Sequence, residues 1–73
     1  MRPISPLHRK FGQKIKELRK KNGLTQEDLA FAIGVDRSYM GFIERGERNP
    51  TLEKIGKIAK SLKVPLEELF RGL

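Results

Sequence analysis

Thr25-Gln26-Glu27-Asp28-Leu29-Ala30-Phe31-Ala32-Ile33-Gly34-Val35-Asp36-Arg37-Ser38-Tyr39-Met40-Gly41-Phe42-Ile43-Glu44 is the stretch whose reading decides the fold. It holds two short helical patterns joined by a turn too tight to leave the angle between them free. The first opens at Thr25, whose hydroxyl is placed to accept the Asp28 N–H. Asp28 stands three residues on, a shortened version of the Glu or Gln that completes a capping box. Leu29, Ala30 and Ile33 recur at i, i+1 and i+4, one face of a helix. Gly34 supplies the left-handed residue that ends it. Asp36 then caps a second helix, at about 36–45, whose Met40 and Ile43 turn toward the same core. Arg37, Ser38, Gly41 and Phe42 are left on its outer face, with Tyr39 at the flank.

Outward from this pair the pattern stays helical. Residues 1–6 carry two prolines and read as an extended arm, with the folded domain over 7–73. Leu7, Phe11, Ile15 and Leu18 repeat at helical spacing until Asn22-Gly23 stops the run. Arg9, Lys10, Lys14, Lys16, Lys20 and Lys21 form its solvated basic face. After the pair comes a polar loop, Arg45-Gly46-Glu47-Arg48-Asn49-Pro50. Pro50 disfavours helix at Asn49, and Thr51 caps the next segment, where Leu52, Ile55, Ile58, Ala59 and Leu62 keep a helical period. Val64-Pro65 begins a last short helix with Glu67 and Glu68 at its positive end and Leu66, Leu69 and Phe70 on its apolar face. Nothing alternates with period two. The expectation is an all-α fold of five short helices around one core.

Seventy-three residues make one small domain, which buries only roughly 60% of its extended surface. Without cysteine there is no disulfide framework and no thiolate metal site, and the one histidine, His8, cannot build a metal site unaided. No apolar run approaches the roughly 18 residues of a membrane helix, and no secretory segment follows the start, so an intracellular, cytoplasmic location is expected. The 16 basic against 9 acidic residues, net +7, favour a polyanionic partner. A helix fixed by its neighbour and presenting Arg, Ser and aromatic groups outward is what reading a DNA major groove requires.

Three segments carry a family resemblance. Ile15-Lys16-Glu17-Leu18-Arg19, Gly23-Leu24-Thr25-Gln26-Glu27-Asp28-Leu29-Ala30 and Ile43-Glu44-Arg45-Gly46-Glu47-Arg48-Asn49-Pro50 match, in order and spacing, the Cro/repressor-type or xenobiotic-response-element helix-turn-helix family. The resemblance covers residues 12–70. Asp36-Arg37-Ser38-Tyr39 followed by Ile43-Glu44-Arg45 is similar to the controller proteins of restriction–modification systems and to small phage repressors. The resemblance implies a lambda-repressor-like domain and a homodimeric, sequence-specific transcriptional regulator of double-stranded DNA, associated with the nucleoid. It implies no cofactor.

Arg37 is the best candidate for reading sequence. Its planar fork can donate two bonds to guanine O6 and N7, about 1–3 kcal/mol of discrimination, and the matching position in the family is where base contacts concentrate. A phosphate clamp is the alternative. Ser38 reaches either a base edge or a phosphate. Tyr39 touches sugar or backbone, or else packs against loop 45–50. Phe42 has no room in the core and is expected near the DNA, against a thymine methyl or as simple cover; the family's usual residue there is small or polar. Gln26, at a helix start, suits a phosphate, and the resemblance implies that it also braces the recognition helix. Arg48 and Asn49, with Arg45, hold the backbone on the other side of the groove without carrying sequence. The resemblance makes Arg19 and Glu44 a largely buried structural ion pair. The charges of residues 9–21 are expected to stand behind the reading pair and act through the long-range field. Arg2 could reach a phosphate or the minor groove, but a merely disordered arm is the favoured expectation.

Leu66, Leu69, Phe70 and Leu73 offer more apolar face than a four-helix core needs, which makes them the candidate dimer interface. In activating family members an acidic patch near the first helix of the pair meets RNA polymerase. Glu27 and Asp28 read first as favourable charges at a helix start; the polymerase contact is the lesser alternative, because Phe31 replaces an expected polar residue. Two rivals remain. One is an antitoxin-like protein-binding module, for which an additional tail is expected while the sequence stops three residues after Phe70. The other is nonspecific nucleic-acid binding. An enzyme is not expected: there is no cysteine, no acid pair in a plausible cleft, and His8 is expected outside any apolar pocket.

Overall fold

Ser5 starts the first helix. Its hydroxyl oxygen accepts the His8 N–H at 3.1 Å and lies 2.6 Å from His8 Nδ1, and Pro6 occupies the first turn, where its missing N–H costs nothing. The computed structural model describes residues 4–73. Four α-helices follow one another, α1 (Pro6–Lys21), α2 (Gln26–Ile33), α3 (Arg37–Glu44) and α4 (Leu52–Ser61), and a 3-10 turn over Leu66–Phe70 closes the chain. The expected fifth helix is therefore a single tight turn. Pro65, at its start, provides no side-chain cap, and five residues are too few to repay the nucleation of an α-helix.

The expected arm over residues 1–6 is also revised. Pro6 belongs to α1, Ser5 is its cap, and the Ile4 N–H donates to the Gly46 carbonyl at 2.7 Å. Residues 1–3, Arg2 among them, lie outside the described residues.

The caps on α2 and α3 form as their side chains dictate. Thr25 Oγ1 accepts from the Asp28 N–H at 3.0 Å while the Thr25 N–H donates back to Asp28 Oδ2 at 2.9 Å. The Thr25 N–H, then its hydroxyl, hold the Asp28 carboxyl below its ordinary value of 3.8. Asp36 Oδ1 accepts the Tyr39 N–H at 2.8 Å, and Thr51 Oγ1 accepts the Lys54 N–H at 3.2 Å.

Phe11, Ile15, Leu29, Ala30, Ile33, Met40, Ile43, Ile58, Ala59, Leu62 and Leu69 form one buried cluster. Of the apolar residues placed in the helical periods of α1 and α4, Leu18 and Ile55 pack against it partly buried, and two are exposed. Leu7 is 56% and Leu52 73% exposed, because each sits in the first turn of its helix, beyond the reach of the facing elements. Gly12 lets α1 close on the end of α3: a Cβ there would stand 2.5 Å from the Glu44 carbonyl oxygen and nearer still to that of Ile43.

All four helices end with the same pair of backbone bonds. After α2 these are Gly34 N–H to Phe31 O and Val35 N–H to Ala30 O, and after α4 Lys63 N–H to Lys60 O and Val64 N–H to Ala59 O. The device requires a left-handed residue. Glycine fills it at positions 23, 34 and 46, but after α4 the residue is Lys63, with φ 59°. A side chain there costs roughly 1–2 kcal/mol, and glycine's larger entropy loss returns part of that. Lys63→Gly is therefore expected to stabilise the chain by about 0.5–1 kcal/mol, read as a raised urea midpoint at unchanged slope.

Candidate nucleic-acid interface

The outer edge of α3 begins with Arg37 and Ser38, both exposed. Arg37 lines one open hollow, about 450 Å3, with Arg19, Leu24, Thr25, Gln26 and Glu27, so the start of α3 and the start of α2 face a common space. Behind that edge Met40 and Ile43 are fully buried. Tyr39 is half-buried and packs against the core cluster.

The far end of α3 is fixed by a buried carboxylate. Glu44 Oε2 accepts from Arg19 Nε at 2.6 Å, and Glu44 Oε1 accepts from Arg19 Nη2 at 3.2 Å. Arg19 Nη1 also donates to the Leu24 carbonyl at 2.8 Å. The two side chains are 8% and 2% exposed. Gln26 joins them, its Nε2 donating to Glu44 Oε1 at 3.0 Å. The same amide nitrogen carries a second hydrogen, so it can donate to a phosphate without leaving Glu44. Sequence spacing could not show the bond to Glu44, because it crosses 18 positions.

Two expectations for the outer face of α3 change. Gly41 is buried, since a Cβ there would meet Arg45 Nη1 at 3.1 Å and the arginine lies across it. Phe42 is half-buried under two cations. The Arg45 and Arg48 guanidinium carbons lie 5.2 and 5.1 Å from its ring centroid, within cation–π range. Glu47 Oε1 accepts from Arg45 Nε at 3.1 Å, so Arg45 is held by a ring, a carboxylate and the space a glycine leaves. Glu47 drew no role from the sequence; its spacing, two residues after Arg45, was the available signal. Asn49 is exposed next to the buried Pro50.

The C-terminal apolar surface is smaller than expected. Leu69 is 0% exposed and belongs to the core, because the 3-10 turn directs it inward, so it cannot serve a dimer interface. Leu66 and Phe70 remain 43% and 44% exposed, and Leu73 is half-buried. Phe70 stacks on Phe11 with centroids 5.2 Å apart. They border an apolar groove of about 170 Å3 lined also by Leu7, His8, Pro50 and Ile55. His8 thus lies in an apolar pocket, contrary to expectation, because Ser5 draws it back along the helix.

Basic residues on α1 also reach this side of the molecule. Arg9 and Lys16 line a hollow with Gln26 and Arg45, so for these two the expected position behind the reading pair does not hold. Among the described residues no group of three His, Cys, Asp or Glu could hold a metal ion, and no helix is long and apolar enough to cross a membrane.

A family profile described as helix-turn-helix matches residues 15–69. The chain belongs to that family. Its helix-turn-helix is α2, Gly34-Val35-Asp36 and α3. The control protein C.MunI of a Mycoplasma species is 47% identical over 65 residues, 88% of each chain. C.BamHI of Bacillus amyloliquefaciens is 45% identical over 61 residues, 82% of this chain and 75% of its own. The crystal structure of the restriction-modification controller protein C.AhdI from Aeromonas hydrophila superposes with a TM-score of 0.81 at 53% identity, covering 85% of this chain and 94% of that one.

For this helix-turn-helix the buried hub can be tested directly. Removing one partner of a buried pair strands the other at a cost of about 3–5 kcal/mol. Glu44→Ala is expected to lose that much in urea unfolding, a large share of the stability of so small a domain. Glu53→Ala, on the exposed face of α4, should change it by under about 0.5 kcal/mol.

Proposed function

We propose that this chain is a sequence-specific DNA-binding transcriptional regulator of the controller-protein kind, acting as a homodimer on a palindromic operator. One observation carries the reading. Arg37 and Ser38 stand exposed at the start of α3, while the opposite side of that helix is buried and its end anchored through Glu44. Membership of the helix-turn-helix family and the names of the relatives support it. Arg37 reads a base edge, with Ser38, Tyr39 and Phe42 along the same helix. Gln26 on one flank and Arg45, Arg48 and Asn49 on the other hold backbone phosphates, which fix register and salt dependence.

Size supports two copies. The longest extent of the chain is 26 Å, whereas successive half-sites on one face of a duplex lie roughly 34–36 Å apart. Phe70 and Leu73, which line the apolar groove, and the exposed Leu66 supply the contact between copies. Such a protein needs no cofactor and catalyses nothing, and its place is on the nucleoid. Polymerase contact through Glu27 and Asp28 is the weaker part of the reading, because the Asp28 carboxylate is already engaged by Thr25.

Selection of bound duplexes from a random pool should return a palindrome. On that site Arg37→Ala is expected to cost about 1–3 kcal/mol and to relax one base position per half-site, whereas Arg48→Ala should weaken all sequences alike. An Arg37→Ala loss equal on every sequence would remove base reading from this residue. A pool that yields no preferred sequence, with a steep salt slope, would leave only nonspecific binding.

A further inference from the structure

The first helix carries a row of side chains, Arg9, Gln13 and Lys16, that meets the end of the recognition helix in one hollow. The hollow, about 460 Å3, is lined by those three residues with Gln26, Glu44, Arg45 and Glu47. The spacing of 9, 13 and 16 puts the row on one face of α1. Gly12 and Gly46 bring that face close: a Cβ on Gly12 would collide with the last carbonyls of α3, and one on Gly46 would stand 2.7 Å from the Arg9 Cα. The Ile4 N–H bond to the Gly46 carbonyl ties the same corner. The juxtaposition is therefore fixed by backbone contact.

The charges in the hollow do not cancel. Glu44 is taken by Arg19 and Glu47 by Arg45. Among the described residues neither Arg9 nor Lys16 has an ion-pair partner, and Gln13 turns its amide to Glu17 at 3.5 Å. Two unpaired cations on a rigid wall thus face a space bordered by Gln26 and Arg45.

We propose that Arg9 and Lys16 form a phosphate site on α1, holding a backbone phosphodiester of the same duplex that α3 reads. This rests on the DNA-binding reading and extends it to a helix outside the helix-turn-helix. The hollow is too polar to take an apolar ligand, and its bordering residues flank the reading helix. The cations act by contact, so their position matters as well as their charge.

The test compares two double variants that remove the same charge. Arg9→Gln with Lys16→Gln empties the hollow of its free cations. Lys10→Gln with Lys20→Gln removes two exposed cations of the same helix that do not line it. Affinities are measured over a range of salt concentrations, on a duplex selected from a random pool and on a random-sequence duplex. The first double variant is expected to lose about tenfold or more on both duplexes, and the slope of log K against log salt to fall by about 2, one phosphate for each copy of the dimer. The second should lose under about threefold, with its slope unchanged. Equal losses in the two variants, or none in the first, would overturn the site and leave only the long-range field. Unfolding curves of both variants matching the parent exclude a folding defect. Failure of the parent chain to bind either duplex would overturn the DNA-binding reading itself, and the site with it.

Discussion

One carboxylate orders this molecule. An eight-residue helix such as α3 is marginal on its own in water, so its direction depends on what grips it. Asp36 grips the start through a backbone N–H. At the end, Glu44 accepts bonds from Arg19 on α1 and from Gln26 at the start of α2. Three helices thus converge on one buried group. Against a hydrophobic substitute such a cluster adds little net stability, since two charges must be desolvated. Its bonds are directional where apolar contacts are not. Rotating α3 about its axis would strand Arg19 and Glu44 together, so the hub selects the one packing in which Arg37 and Ser38 face outward. Among the described residues no buried side-chain polar atom is left without a partner, as a cluster of this kind needs in order to be tolerated.

Close backbone approach completes the arrangement. Gly12 lies where α1 crosses the end of α3, and Gly46 lies where the following loop crosses the start of α1. Both contacts require the absence of a side chain rather than the presence of one. They bring Arg9 and Lys16 of α1 to the end of α3, a placement that helical periodicity alone cannot reveal.

Local chemistry was legible in the sequence, and tertiary chemistry was not. Thr25, Gly34, Asp36 and Thr51 act within a few positions of themselves, so their caps could be read directly. Met40 and Ile43 were also readable, because the spacing of buried positions on a short helix leaves few choices. Leu69 was misjudged because a 3-10 turn has three residues per turn, and the inward direction differs from that of the expected α-helix. Gly41 and Phe42 were misjudged because Arg45 and Arg48 fold back over α3, and no local rule says where a long side chain lies. The Arg19–Glu44 pair was legible only through family resemblance: 25 positions separate the partners. The bond from Gln26 to Glu44 shows the same limit, since a side chain at a helix start looks free until its neighbour is known.

The distribution of charge has a further consequence. The chain carries 16 basic residues, yet α3 itself holds one, Arg37, and its single acid is buried. The reading helix therefore supplies little of the phosphate attraction on which affinity for a duplex depends. In the proposed complex that attraction comes from elements around it: the start of α2, the loop from Arg45 to Asn49, and Arg9 and Lys16 of α1. Sequence reading and backbone grip are thus proposed for different parts of the chain. Substitutions on the exposed start of α3 can alter which bases are preferred while the grip persists. Changes in the surrounding cations alter how tightly any duplex is held. Glu44, the glycine contacts and the shared core packing of Met40 and Ile43 hold both sets of side chains on one rigid frame.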